Sequence, residues 1–182
     1  MSAGRLIAVV GPSGVGKDSV IRALVAARPG LKAVRRTITR KPDAGSEAFE
    51  PLCPAEFAAA RSAGAFVLHW AAHGLCYGIR RRVLDDLTAG RDMLANLSRT
   101  VLGQAAAAFP RFVVLHLTAP APILAARLAT REREDQAAAA RRVARAGMAL
   151  PAGVGPVIEI ANDGRLEVTV QAALARLYPE RV

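Results

Sequence analysis

The chain has 182 residues, a formal net charge of +10 and a hydrophobic content of 52%. That length suits one domain of ordinary size with a substantial core. No apolar stretch reaches the roughly 18 residues that a membrane span needs, and the first residues form no signal-peptide core. We therefore expect a cytoplasmic protein that does not bind membranes.

The positive charge by itself favours nucleic-acid binding, but aromatic residues make up only 4% of the chain. Proteins that bind single strands normally place aromatic rings among their basic residues. Many arginines instead form short clusters, such as those within residues 80–82 and 141–145, which in an alternating α/β chain lie at the ends of elements. We therefore expect small polyanionic ligands and no nucleic-acid partner, with nucleic-acid binding as a weaker alternative.

Apolar runs typical of strands alternate along the chain with stretches typical of helices. The strand runs cover residues 6–10, 66–68, 93–97, 112–117 and 157–160, and the helical stretches cover 19–27, 80–89, 101–108, 121–129 and 137–150. Such alternation predicts an α/β fold with three layers, in which helices cover both faces of a parallel sheet. Ligands then bind at the carboxyl ends of the strands.

Two segments interrupt this alternation. Residues 35–78 are rich in Pro, Gly and Thr, and they predict a small inserted lobe. Residues 131–136 carry charge without an apolar anchor, and they predict a mobile connection between two helices. The chain contains no repeat and no interdomain linker, so we expect residues 1–182 to form a single domain.

The most informative motif is a glycine-rich turn between the first predicted strand and the first predicted helix. Its sequence is Gly11-Pro12-Ser13-Gly14-Val15-Gly16-Lys17. In a phosphate-binding loop of this pattern, backbone N–H groups and a helix N-terminus surround phosphate oxygens, while the lysine reaches the β- and γ-phosphates. The motif predicts that a nucleoside triphosphate binds at this turn.

One position departs from the usual form of the loop. Asp18 stands where a Ser or Thr normally holds Mg²⁺, and Ser19 follows one residue later. Asp18 binds the metal directly or through water with help from Ser19, or it caps the helix. The sequence leaves these alternatives open.

Two further motifs resemble the guanylate-kinase-like branch of the nucleoside-monophosphate kinases. Residues 37–40, Thr-Ile-Thr-Arg, are similar to that branch's phosphate-gripping motif, and residues 64–78 are similar to its small-lobe motif. The resemblance runs from about residue 4 to residue 177 and implies a P-loop kinase fold. It also implies that the inserted lobe binds the phosphoryl acceptor and that residues 131–142 form a short lid. By the same resemblance Arg40 and Tyr77 hold the acceptor's phosphate, and Arg131 and Arg142 act on the transferring phosphoryl group from the lid.

Two departures from that branch argue against guanine as part of the acceptor. The branch has a glutamate before the small-lobe tryptophan, where this chain has His69 before Trp70, and an aspartate pair where this chain has Asn96 and Ser98. A site built around such hydrogen bonds discriminates by a factor of about 10⁴ against ligands that cannot make them. Without these carboxylates, the preference for guanine is lost. His69 then belongs to a sugar-phosphate site, or it is a core-facing ring.

The same positions resemble a second group of this superfamily, the ribose 1,5-bisphosphate phosphokinases, which make phosphoribosyl pyrophosphate in bacterial phosphonate breakdown. The similar stretches are residues 16–19, 36–40, 44–47, 70–78, 96–99 and 162–164. The resemblance implies an ATP-dependent phosphotransferase with a phosphate group as acceptor, with Asn162 on the ATP side. The substrate-binding residues that it implies are Arg36, Thr39, Arg40, Glu47, His69, Tyr77, Asn96, Ser98 and Arg99.

Proton chemistry agrees with a phosphate acceptor. A phosphate monoester has a second pKa of about 6, so it is already largely ionised at neutral pH and needs no general base. The sequence offers no obvious base motif but many cations, of which Lys17, Arg40, Arg131 and Arg142 are the expected catalytic residues.

Two alternatives remain at the level of sequence. One is a guanylate kinase with an altered base site. The other is a guanylate-kinase-like module that binds peptides without catalysis, against which the complete loop with Gly11, Gly16 and Lys17 argues. The sequence does not choose between a monomer and a homodimer.

Overall fold

The computed structural model describes residues 3–41, 47–129 and 149–179. The strands in these ranges are β1 (Leu6–Val10), β2 (Lys32–Ala33), β3 (Thr37–Ile38), β4 (Glu50–Pro51), β5 (Phe66–Ala72), β6 (Leu75–Arg80), β7 (Met93–Asn96), β8 (Phe112–Thr118) and β9 (Val157–Ala161). The helices are α1 (Lys17–Ala27), α2 (Pro54–Ser62), α3 (Val83–Thr88), α4 (Leu102–Ala108), α5 (Ala121–Ala129) and α6 (Leu166–Leu177). A short 3-10 helix, Arg99–Val101, leads into α4.

Five strands form the main sheet, in the order β2-β7-β1-β8-β9, and every pair of neighbours is parallel. All five residues of β1 are buried. This burial explains its unbroken apolar sequence, because strands of a covered parallel sheet have no solvent face. Alternate residues serve two cores: Leu6 and Ala8 belong to one, and Ile7 and Val9 to the other.

Helices cover both faces of the main sheet. On one face, α3 and α4 contribute Val83 and Leu102 to the core. On the other, α1, α5 and α6 contribute Leu24, Leu124 and Val170. The predicted three-layer α/β/α arrangement around a parallel sheet is therefore confirmed.

Among the described helices, none has both the length and the apolar character that crossing a membrane demands.

A second, four-stranded sheet has the order β4-β3-β6-β5 and lies within the segment 35–78, apart from the last two residues of β6. The expectation that residues 66–68 contribute a strand to the parallel sheet is wrong, because they begin β5, which pairs antiparallel with β6. The cause is the two-residue turn of His73 and Gly74, with φ of +53° and +74°. Such a turn closes a hairpin directly, whereas a parallel neighbour requires a long crossover.

Two predicted helices also differ from the structure. The helix expected at residues 80–89 begins only at Val83, because Arg80 is still the last residue of β6, opposite Phe66. Of the helix expected at residues 137–150, only Ala149 and Leu150 are described, and they are not helical. The expected lid, residues 131–142, lies outside the described residues.

A cluster around Asp92 joins the amino ends of the central strands to the end of α6. The Asp92 Oδ2 atom accepts hydrogen bonds from Arg5 Nη2 at 2.7 Å and from the Tyr178 hydroxyl at 2.8 Å. The Arg28 guanidinium lies 3.6 Å from the centroid of the Tyr178 ring. Burial alone would raise the pKa of Asp92, but the hydrogen bonds from Arg5 and Tyr178 outweigh burial and hold this pKa below its ordinary value.

We predict that Asp92→Asn lowers the free energy of unfolding at pH 7 by about 2 kcal/mol, because hydrogen bonds to a charged group are lost. A depressed carboxyl pKa stabilises the fold at neutral pH, and this stabilisation disappears as the pH falls through the folded-state pKa, below about 4. The variant should therefore lose less stability on acidification. Urea unfolding between pH 3 and pH 7 measures both effects.

The exposed Asp85 of α3 gives the matched control. Asp85→Asn should change stability by less than about 0.5 kcal/mol. Equal effects of the two substitutions would contradict the role of the Asp92 cluster.

Candidate active site

A cavity of about 560 Å³ opens at the carboxyl ends of β1 and β7, beside the second sheet. Three parts of the chain form most of its wall: the glycine-rich loop after β1, the β5–β6 hairpin and the segment after β7. The lining residues are Gly11, Pro12, Ser13, Lys17, Arg36, Trp70, Ala71, Ala72, His73, Tyr77, Asn96, Leu97, Ser98, Arg99 and Thr100.

The loop after β1 contains two glycines, Gly11 and Gly16, that a larger residue could replace only with backbone strain or a steric clash. Gly16, at the N-cap of α1, has φ of +88°, in the left-handed region. A Cβ at Gly11 would lie 2.5 Å from the Leu117 carbonyl oxygen. These glycines let the chain turn tightly into α1, whose N-terminus carries a partial positive charge that favours anions.

Lys17 extends over this loop. Its Nζ atom donates hydrogen bonds to the carbonyl oxygens of Gly11, at 3.0 Å, and Pro12, at 3.1 Å, and the residue lines the cavity. The ammonium is therefore held across the mouth of the loop, where the phosphates of a nucleotide would be bound.

Asp18 lies in the first turn of α1, one residue after Lys17. Gly16 occupies the N-cap, so Asp18 does not cap the helix, although its charge still complements the helix dipole. Its Oδ1 atom accepts a hydrogen bond from Asn96 Nδ2 at 2.9 Å. Ser19 is exposed.

The carboxylate oxygens of Asp18 are candidate ligands for Mg²⁺. Within residues 3–41, 47–129 and 149–179, no group of three or more His, Cys, Asp or Glu residues forms a metal cage. A Mg²⁺ ion that arrives with a nucleotide needs only one or two protein ligands, because phosphates and water supply the others. The carboxylate of Asp18 beside the loop fits that need.

Arg36 lies on the other side of the cavity, and its positive charge is already paired with the Glu47 carboxylate. The side chain is only 9% exposed, and its Nε atom donates to Glu47 Oε1 at 2.8 Å. Its Nη1 atom donates to the Asn96 carbonyl oxygen at 3.0 Å. The guanidinium faces the Tyr77 ring at 5.2 Å, and Tyr77 in turn stacks on Trp70 with 5.2 Å between ring centroids. Arg36, Tyr77 and Trp70 thus form one stacked wall.

Several residues expected at the acceptor site, in or next to the second sheet, do not line the cavity. His69 is exposed and does not line the cavity, whereas its neighbour Trp70 does, because successive side chains of a strand point to opposite faces. The Thr39 hydroxyl accepts a hydrogen bond from the Cys76 N–H at 2.8 Å. The Arg40 guanidinium lies 4.5 Å from the centroid of the Phe49 ring.

The last residue of β7, Asn96, and the segment that follows it bring Asn96, Ser98 and Arg99 to the cavity together. Burial lowers the pKa of Arg99. Because the ordinary pKa of arginine is very high, the group still stays cationic at neutral pH while it is partly removed from water. A partly desolvated cation interacts more strongly with an anion than a fully hydrated one does.

Sequence reasoning assigned no role to six of the lining residues: Trp70, Ala71, Ala72, His73, Leu97 and Thr100. Two signals could have found Trp70 and His73. The His73-Gly74 dipeptide is a hairpin turn signal, and strand alternation then separates Trp70 from His69. Arg131 and Arg142, expected in the lid, lie outside the described residues.

Asn162 was expected to bind ATP, and the structure shows it beneath the loop. It is 5% exposed, and its Nδ2 atom donates to the Val15 carbonyl oxygen at 2.7 Å. Its Oδ1 atom accepts a hydrogen bond from the Thr169 hydroxyl at 2.8 Å. Asn162 does not line the cavity described above.

The chain is 49% identical to the ribose 1,5-bisphosphate phosphokinase PhnN of Ruegeria sp. (strain TM1040), over 98% of this chain and 94% of that protein. It belongs to the ribose 1,5-bisphosphate phosphokinase family. The protein of the same name from Pseudomonas fluorescens is 44% identical over 96% of this chain and 95% of that protein. The resemblance drawn from the sequence motifs is thereby confirmed. A search of family models found no match.

Solved structures show the same fold at low sequence identity. Guanylate kinase from Anaplasma phagocytophilum superposes with a TM-score of 0.65 at 17% identity, over 100% of this chain and 89% of that one. A gluconokinase from Sinorhizobium meliloti gives a TM-score of 0.56 at 19% identity, over 97% and 95% of the two chains. These neighbours confirm the expected P-loop kinase fold of this family member.

We predict that Arg36→Met lowers the free energy of unfolding by about 3 kcal/mol, because it leaves the mostly buried Glu47 carboxylate without its partner. The double variant Arg36→Met with Glu47→Gln should recover part of this loss, since no unpaired charge remains. Urea unfolding of both single variants and the double variant gives the coupling energy.

Arg35→Met, at the exposed neighbour of Arg36, is the matched control, with an expected change of about 0.5 kcal/mol or less. If Arg36→Met kept full stability and changed only the acceptor KM, Arg36 would be a simple ligand and not part of the wall.

Proposed function

We propose that this protein transfers the γ-phosphoryl group of ATP to ribose 1,5-bisphosphate, giving 5-phospho-α-D-ribose 1-diphosphate and ADP. The observation that carries the proposal is the 49% identity with a protein of that name over nearly the whole of both chains. An intact phosphate-binding loop with Lys17 beside the cavity supports it. We further propose that it acts in the cytoplasm, in phosphonate breakdown.

The proposed step breaks one bond and makes one. An oxygen of the acceptor's 1-phosphate attacks the γ-phosphorus in line, and the bond between this phosphorus and the β,γ-bridging oxygen breaks, which leaves ADP. The attacking oxygen carries no proton at neutral pH, so no base is required. The composition of the cavity supports this chemistry, because none of its lining residues in the described part of the chain is a carboxylate.

Catalysis in this proposal is positioning and charge neutralisation. Lys17 neutralises charge on the β- and γ-phosphates. Arg40, Arg131 and Arg142 act on the transferring group and the acceptor phosphates. Mg²⁺, when bound through Asp18 with help from Ser19, reduces the negative charge of the phosphates.

The acceptor is proposed to bind against the second sheet and the segment after β7. Asn96, Ser98 and Arg99 line the cavity and offer hydrogen-bond donors to phosphate and sugar oxygens. Arg36 and Tyr77 belong to the stacked wall, and Glu47 holds the Arg36 guanidinium in place through their ion pair. Thr39, Arg40 and His69, which the family resemblance also implies, are not among the residues that line the cavity.

We predict that, with ATP and Mg²⁺, ribose 1,5-bisphosphate is phosphorylated and GMP is used about 10⁴-fold less efficiently, because the guanine-binding carboxylates are absent. A coupled assay that detects both ADP and the pyrophosphorylated sugar measures kcat/KM for each acceptor. A protein that phosphorylated GMP efficiently and left the bisphosphate untouched would be a guanylate kinase, and the proposal would fail.

We predict that Lys17→Ala lowers kcat for ADP formation by about a hundredfold to a thousandfold, because one preorganised charge at the transferring phosphoryl group is removed. Circular dichroism and urea unfolding should show an intact fold. Lys32→Ala is the matched control: this exposed lysine of β2 lies 3.3 Å from Asp86 and outside the cavity lining. Normal turnover by Lys17→Ala would refute the assigned role.

A further inference from the structure

Asn162 and Thr169 form a buried hydrogen-bonded unit directly under the phosphate-binding loop. Their exposed fractions are 5% and 3%. The Thr169 hydroxyl lies 2.8 Å from Asn162 Oδ1, and Asn162 Nδ2 lies 2.7 Å from the Val15 carbonyl oxygen. A Cβ added to Gly16 would come within 2.9 Å of the same Nδ2 atom, so the amide is packed against the loop backbone.

The main chain of Asn162 is fixed as firmly as its side chain. Its N–H donates to the Thr118 carbonyl oxygen at 2.7 Å, at the end of β8. Its own carbonyl oxygen accepts from Arg127 Nη1 of α5 at 2.7 Å. Thr169 belongs to α6. The residue that contacts the loop is therefore held by three separate elements, and it has little freedom to follow a loop that moves.

We propose that Asn162 and Thr169 are positioning residues that keep the peptide unit between Val15 and Gly16 in the orientation that binds phosphate. In a trans peptide the carbonyl oxygen of one residue and the N–H of the next point in opposite directions. The hydrogen bond from Asn162 draws the Val15 oxygen beneath the loop, so the Gly16 N–H is directed to the other side. This inference deepens the proposed function and rests on ATP as the phosphoryl donor.

The alternative orientation of this peptide would be harmful to the site. Gly16 has no Cβ, and rotation of the peptide before it meets little steric resistance. A rotated peptide would present a carbonyl oxygen to the phosphates in place of an N–H donor, and the two oxygens would repel each other. A fixed donor at the Val15 oxygen suppresses this state before the nucleotide arrives, which is how preorganisation improves binding.

Thr169 determines which end of the Asn162 amide faces the loop. The hydroxyl has one proton, and its 2.8 Å distance to Oδ1 is shorter than its 3.4 Å distance to the Ala161 carbonyl oxygen. With Oδ1 satisfied by Thr169, Nδ2 must face Val15. A reversed amide would set two acceptors against each other at Val15, and the Thr169 hydroxyl would have to accept from the NH₂ group and turn its proton to the more distant Ala161 carbonyl oxygen.

The test compares three substitutions at Thr169. Valine has nearly the same shape without a hydroxyl, serine keeps the hydroxyl, and cysteine has only a weak S–H donor. We expect Thr169→Val to raise the Kd for ATP and the KM for ATP about tenfold, the effect of one hydrogen bond. Thr169→Ser should stay within about twofold of the unmodified protein, and Thr169→Cys should fall between them. The acceptor KM should not change in any of them.

Binding of ATP is measured by calorimetry without any acceptor, so its outcome does not depend on which sugar phosphate the protein uses. If ribose 1,5-bisphosphate is not phosphorylated but the Thr169 variants show the expected ATP affinities, the proposed acceptor is wrong and this inference stands. Unfolding in urea is measured in parallel, because a purely structural role would lower stability without a selective change in ATP affinity.

Three results would overturn the inference: an unchanged ATP Kd in Thr169→Val, an equal rise of the ATP and acceptor KM values, or a serine variant as defective as the valine variant. If the valine variant does not fold, the serine and cysteine variants still decide. In that case, equal ATP affinity of these two variants would contradict the inference, and weaker binding by the cysteine variant would support it.

Discussion

Asn96 is the residue on which the geometry of the cavity depends, because it contacts both sides. Its side chain donates to Asp18 at the start of α1, and its carbonyl oxygen accepts from Arg36 in the wall of the second sheet. Asn96 is also paired with Val9 in the central strand, two residues before the phosphate-binding loop begins. One strand end therefore sets the separation between the two binding regions, which favours a fixed approach of two reactants.

The parts of the fold that could be predicted depend on local sequence. The run of five apolar residues in β1, followed by glycines at fixed spacing and Lys17, specifies strand, turn and helix without distant information. The second sheet could not be predicted in this way. Its β3 and β4 have only two residues each, and α2 begins with a capping box formed by Cys53 and Glu56, although cysteine is not among the usual N-cap residues.

The same distinction applies to the site. Lys17 and Asp18 follow from a contiguous motif, and so does their position at the strand ends. That Trp70 and not His69 lines the cavity depends on which face of β5 packs toward the main sheet, and alternation alone does not choose a face. The role of Asn162 was beyond sequence reasoning, because its partners Val15 and Thr169 lie on either side of it, 147 and 7 residues away.

Among the described residues that line the cavity, Lys17, Arg36 and Arg99 are cations, and Arg36 is already paired with a carboxylate. Two reactants with about four negative charges each repel strongly, since a pair of unit charges 4 Å apart interacts by about 4 kcal/mol at an effective dielectric of 20. Packing as many bare cations together in advance would create the same repulsion within the protein. In Arg36 the chain avoids this problem by pairing the cation with Glu47 and using it as a rigid support. In the proposed reaction the remaining neutralisation comes from Arg40, Arg131 and Arg142, together with Mg²⁺ that arrives with ATP. The charge of such a metal ion does not have to be accommodated while the chain folds.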